Sequence, residues 1–196
     1  MITFDLIKNN GNIGKAVNVL EIGTRNGDVA YDVLKYMWDN GIQSKYRGFD
    51  LFENYSTKVA GVSEEKAEAD LVQSADVRNR LHTVCKDIEL FVGDTNDTLA
   101  GWVRTNTLQY DLVIIHGSKL HQQLLKDFYN TNSFYNDGCQ VFIDYCDGDA
   151  KSIVADMDAF DAKAISDSVT MLTWKVEESA PQFTEENYEG PHNVVA

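Results

Sequence analysis

Residues 17–37, VNVLEIGTRNGDVAYDVLKYM, constrain the fold more than any other part of the chain. An apolar run leads into Glu21-Ile22-Gly23-Thr24-Arg25-Asn26-Gly27, and a one-sided helical pattern follows at once. That order reads as strand, glycine turn, helix. In an α/β sheet, the turn at the carboxyl end of the first strand is where a ligand docks. Glycine at positions 23 and 27 lets the backbone adopt φ > 0 and approach a ligand closely. The helix that starts near Gly27 presents unpaired N–H groups to an anionic group.

The rest of the chain repeats this alternation. Apolar runs at 17–22, 46–50, 88–92, 111–115 and 140–144 are separated by helical patterns, and a final pair lies near 163–168 and 170–176. Their Val, Ile and Phe content marks buried parallel strands. Helical stripes recur at Val29, Val33, Leu34 and Met37, at Leu120, Leu124, Leu125 and Phe128, and at Ile153, Val154, Met157 and Phe160. Each stripe suits a helix packed on a sheet. A longer helical stretch covers 63–84. The expected class is α/β: a doubly wound, mostly parallel, seven-stranded Rossmann-like sheet with a C-terminal antiparallel hairpin. Residues 1–177 form the expected domain. Residues 178–196 hold both prolines and four glutamates with no Lys or Arg, and read as an acidic tail or extension.

Composition narrows the partners. The formal net charge is −14, which opposes binding to duplex phosphates. Lys45, Arg47, Arg78, Arg80 and Lys86 are the local exceptions. No apolar stretch approaches the roughly 20 residues of a membrane span. The N-terminus lacks a basic start followed by an apolar core. Cys85, Cys139 and Cys146 have no metal-knuckle spacing and read as reduced thiols. A cytoplasmic protein with neither nucleic-acid nor membrane partners is expected.

Acidic residues follow at the ends of the next strands. Asp50 closes Arg47-Gly48-Phe49-Asp50, 23 residues past Gly27, where an acid accepts from ribose hydroxyls. Leu51 and Phe52 offer an apolar wall beside it. Asp94, in Val92-Gly93-Asp94-Thr95, has two readings: acceptor for an adenine amine, or N-cap of the helix that begins near Asn96. His116 at the end of the fourth run has a base's chemistry, since an imidazole titrates near about 6.5. It reads equally as a capping or pocket-lining histidine. Asp144, on the neighbouring strand, is placed to orient its ring.

EIGTRNG, GFDLF, VGDT, YDLVIIHG and VFIDY occur in this order, and over about 17–176 they resemble class I S-adenosylmethionine-dependent methyltransferases. The likeness is greatest to small-molecule O-methyltransferases of the macrocin and mycinamicin type. It implies methyl transfer from S-adenosylmethionine to a small-molecule acceptor, through a hydroxyl. It makes Glu21, Gly23, Thr24, Gly27, Asp50, Leu51, Asp94 and Thr95 the donor shell, with Glu21 ordering the glycine turn. His116 and Asp144 then face the acceptor as the catalytic pair. The chain departs from the family at two turns. His116-Gly117-Ser118-Lys119 replaces a DGDH-like turn, and Ile143-Asp144-Tyr145 replaces a DDY turn. Acids there hold Mg²⁺ in metal-dependent relatives. With one acid left, a Mg²⁺ site of that kind is not expected, and His116 with Asp144 is a thin ligand set for a softer ion. Two other readings follow: a scaffold that keeps the fold without the reaction, and a nicotinamide-dependent dehydrogenase. The second is opposed by Arg25, which stands near the middle-glycine position of G-x-G-x-x-G.

Overall fold

Seven strands form one sheet, and the order in which they lie explains where a site can be built. The computed structural model describes residues 1–54, 72–118, 121–144 and 160–174. The strands are β1 (Asn18–Ile22), β2 (Lys45–Asp50), β3 (Asp87–Val92), β4 (Tyr110–Ile115), β5 (Tyr135–Asp144), β6 (Phe160–Ala164) and β7 (Val169–Trp174). They lie in the order β3-β2-β1-β4-β5-β7-β6. The first five are parallel, and β7 runs antiparallel to both β5 and β6. Strand order reverses between β1 and β4. At such a switch point the loops diverge to opposite faces and leave a crevice at the carboxyl edge.

Alternation along each strand divides the core in two, as period-two side-chain geometry requires. On one face Val19, Tyr46, Leu112, Ile114 and Phe142 pack with α1 (Phe4–Asn10), α2 (Asp28–Asp39) and α3 (Ser74–Leu81). On the other, Leu20, Ile22, Phe49, Val113 and Ile143 pack with α4 (Thr95–Val103) and α5 (His121–Thr131). Gly27 caps α2 at φ 74°, a left-handed conformation that glycine adopts without strain. The α2 stripe holds at Val33, Leu34 and Met37, which Ala30 joins in full burial, while Val29 is half-buried.

The chain's last third departs from expectation. Phe160 does not close a helical stripe. It opens β6, and its ring meets Trp174 edge-on at 4.7 Å, within a cluster that includes Phe128 and Tyr135. Buried aromatic packing outweighs the local helical spacing there. The two final strands therefore start earlier than the sequence runs suggested, at Phe160 and Val169. β5 extends five residues further toward its start than the run at 140–144. Within the stretch expected to be helical over 63–84, α3 covers Ser74–Leu81. Its earlier part, Leu120, the stripe at Ile153, Val154 and Met157, and the tail at 178–196 lie outside the described residues. The N-terminal helix α1 was not foreseen. Thr3 caps it, and Ile7 anchors it in the core.

Cys85 and Cys139 are buried free thiols, and burial raises the pKa of both. Cys146 lies outside the described residues. Among the described residues, no helix is long and apolar enough to cross a membrane.

Candidate functional site at the carboxyl edge of the sheet

The glycine turn is held from both sides. The Gly23 and Thr24 amides donate to the Phe49 carbonyl at 2.8 and 3.3 Å, and the His116 amide donates to the Ile22 carbonyl at 2.9 Å. The β1 turn is thereby tied to both β2 and β4. Gly23 has φ 96°, and a Cβ placed on it would come within 2.5 Å of the Gly117 backbone. Only glycine permits this approach. Gly27 N donates to Thr24 O at 2.8 Å and closes the turn into α2.

Asp50 stands where sequence placed it, at the end of β2, and its carboxylate is fixed against the turn. Oδ2 accepts from the Arg25 amide at 2.8 Å and Oδ1 from the Phe52 amide at 2.9 Å. Arg25 takes φ 49° to aim its N–H there. Each oxygen keeps a lone pair for a further donor, as a ribose hydroxyl would supply. Leu51 is half-buried beside it, ahead of the turn Phe52–Asn54. The Gly93 amide donates to Asp50 O at 2.8 Å, which brings the β3 turn alongside.

Asp94 is the N-cap of α4. Its Oδ1 accepts from Asn96 N and Asn96 Nδ2, both at 2.8 Å, the geometry of the capping alternative. Thr95 faces α5 instead of the turn: Gln123 Nε2 donates to its hydroxyl at 2.9 Å and to Asp127 Oδ1 at 2.9 Å. Asp127, 1% exposed, was not singled out from sequence. Burial lifts its carboxyl pKa to about 6, opposed by hydrogen bonds from Thr95 and Gln123 and supported by the charge of Asp94.

The centre of the site is a buried polar chain that joins three strands. Glu21 is fully buried. Its Oε2 accepts a short hydrogen bond from the Tyr46 hydroxyl, and its Oε1 lies 3.0 Å from His116 Nε2. Thr24 Oγ1 lies 3.0 Å from the Tyr46 oxygen. Burial, then the Glu21 charge, pushes the Tyr46 phenol well up, so it stays a donor. Tyr46 was missed in the sequence because it reads as an ordinary inward aromatic. The available signal was Glu21 itself: an acid at an inward strand position needs donors on the same face.

Asp144 does not orient His116. Extending the β4–β5 register by one residue places the two opposite each other, yet the ring turns toward β1. Its Nε2 lies within hydrogen-bond reach of the buried Glu21 side chain, 3.0 Å from Oε1. Asp144, 3% exposed, has Oδ2 at 3.5 Å from the Met1 α-amino group, and among the described residues its Oδ1 has no hydrogen-bond partner. His121 is the first residue of α5.

Two of the basic residues considered for a charged patch are neutralised. Arg47 pairs with Asp87 at 2.8 Å and Glu89 at 3.0 Å, and Arg80 with Asp28 at 2.6 Å. Among the described residues, no three His, Cys, Asp or Glu side chains converge as a metal site.

Strand order, the reversed β7 and the turn at the switch point together define an α/β Rossmann-like methyltransferase fold. Solved structures bear this out. The calicheamicin methyltransferase CalS11 superposes with a TM-score of 0.64 at 14% identity, covering 87% of this chain and 77% of that one. The O-methyltransferase TomG from Streptomyces achromogenes, in complex with SAM, gives 0.59 at 16%, with 89% and 78% covered. An O-methyltransferase from Bacillus cereus in complex with SAH gives 0.60 at 17%, with 88% and 78% covered. Identities this low establish likeness of fold. No protein-family model and no curated protein matches the chain by sequence.

Proposed function

We propose that the chain is an S-adenosylmethionine-dependent methyltransferase acting on a hydroxyl of a small-molecule acceptor. One observation carries this reading most. The Asp50 carboxylate is locked to the glycine turn through the Arg25 amide, at the switch point of a methyltransferase fold. That pairs a ribose acceptor with a close-approach turn in one rigid unit. Gly23, Gly27 and Asp50 are the strongest donor-binding residues. Leu51 and Asp94, whose Oδ1 takes both Asn96 hydrogen bonds, extend the shell toward the base. Thr24 and Thr95 contribute through the main chain and through support, since their hydroxyls are engaged within the protein. Bound there, the donor supplies an activated sulfonium methyl for in-line displacement.

The chain's own residues then do two things. The turn aligns the reactants, the largest entropic part of such a transfer. His116, at the carboxyl end of β4, takes the hydroxyl proton as the acceptor oxygen bonds to the methyl carbon. The electron pair of the broken carbon–sulfur bond stays on sulfur. Asp144 follows at the end of the neighbouring strand, and its buried Oδ1, without a hydrogen-bond partner among the described residues, would suit a polar group of the acceptor.

Calorimetry with S-adenosylmethionine and S-adenosylhomocysteine tests the reading. Saturable heats are expected for both, and their absence with folded protein defeats it. His116→Ala should reduce transfer by about 10²-fold or more while leaving donor affinity within about tenfold. Donor binding with no transfer to any hydroxyl acceptor in wild-type protein would favour the scaffold reading instead.

A further inference from the structure

We infer that Glu21 is the positioning residue of His116: it holds the ring through Nε2 and leaves Nδ1 as the proton acceptor. This rests on the assignment of His116 as base made above, and it gives Glu21 a different task from ordering the donor turn.

The argument starts from the inventory of donors. An ionised carboxylate only accepts hydrogen bonds. Glu21 has no solvent exposure and takes the Tyr46 hydroxyl on Oε2, so its Oε1 must receive a proton-bearing nitrogen from His116, 3.0 Å away. In a neutral imidazole with hydrogen on Nε2, the lone pair is on Nδ1. Among the described residues, Nδ1 has no hydrogen-bond partner, and the side chain is 12% exposed. The edge turned away from Glu21 is the one that can meet an acceptor. When Nδ1 gains a proton, the ring becomes a cation against a buried carboxylate. An acid steadies the histidine of hydrolytic triads in the same manner, there through Nδ1 with Nε2 as the base.

The rest of the chain supports this. Glu21 is too buried to touch a ligand, so neither oxygen is offered to the donor. Tyr46 fixes Oε2, and the Thr24 hydroxyl is within reach of the Tyr46 oxygen. Tyr46 thus steadies the far oxygen of Glu21, while the ring itself is held by Oε1.

The test is nuclear magnetic resonance on protein labelled with ¹⁵N-histidine, recorded free and saturated with S-adenosylhomocysteine. The His116 signal is identified by its loss in His116→Gln. The expected result is a slowly exchanging proton on Nε2 and an unprotonated Nδ1. In Glu21→Gln that proton should exchange at least about tenfold faster, as loss of a charged hydrogen bond implies, with ligand affinity still within about tenfold. Tyr46→Phe leaves Oε1 untouched and should keep the slow Nε2 proton. This gives a second reading should Glu21→Gln fail to fold. A proton on Nδ1 in the wild type, unchanged exchange in Glu21→Gln, or a larger loss of ligand affinity there overturns the inference. Absence of ligand binding in the wild type would defeat the function while the Nε2 proton still reports the contact.

Discussion

Gly48 shows how tightly the polar chain is fitted at the scale of single residues. It lies across from Glu21 in the β1–β2 register. A Cβ on it would fall 2.7 Å from Thr24 Oγ1 and 2.8 Å from the Tyr46 ring and hydroxyl. Those groups are buried and cannot swing away. Gly48→Ala should lower stability by about 1–3 kcal/mol, the usual cost of overpacking, measured by urea denaturation. Tyr46→Phe should cost about 1–3 kcal/mol, since it strips a buried carboxylate oxygen of its donor. The two substitutions share one hydroxyl, so the double mutant should fall short of the sum by at least about 0.5 kcal/mol. Strict additivity would mean that the hydroxyl is not the crowded group.

At the scale of elements, α4 and α5 are joined by side-chain amides. Asn96 Nδ2 donates to Gln123 Oε1 at 2.9 Å, and Gln123 reaches Thr95 and Asp127. Asp127 makes this junction sensitive to pH. Its carboxyl titrates near 6 in the fold and at 3.8 without it. Between those values the unfolded chain ionises first. Stability is therefore full below about pH 4 and falls as pH rises toward 6, by an amount on the order of 3 kcal/mol. Asp127→Asn should flatten that part of the stability profile and raise stability at neutral pH. A profile with the same slope in the variant would assign the effect to another group. Nothing in the sequence pointed here, because Asp127 lies in a helix whose apolar stripe, Leu124, Leu125 and Phe128, was the visible signal. The same stripe logic misplaced Phe160, whose partners lie on β5, β7 and α5 and are remote in sequence. Where contacts are local, as in the β1 turn and α2, spacing alone gave the element. The site divides in the same way. Gly23, Gly27 and Asp50 hold places set by the local strand and turn, and could be read from spacing. The Glu21–His116 contact crosses 95 positions and depends on a rotamer.

For the whole molecule, the donor reading has a thermal consequence. A ligand bound only by the folded state adds about 2.7 kcal/mol at one hundred times its dissociation constant. For a domain of this size that corresponds to a rise in Tm of roughly 5–10 °C. S-adenosylhomocysteine should produce it, and NADH should not. The acidic surface, net −14, adds a second whole-molecule property: repulsion between copies that favours solubility.

The hydrogen bonds from Gly23 to Phe49 and from His116 to Ile22 continue the sheet past the last residue of β1. In hydrogen-exchange terms, the turn belongs with the slow core and not with the fast loops. The Gly23 and His116 amides should be protected in the free protein nearly as well as those of Leu20 and Val113. A donor would then meet a surface already in its bound shape. Little ordering would remain to offset the contacts it makes, and the dissociation rate, more than any closing motion of this turn, would set its affinity.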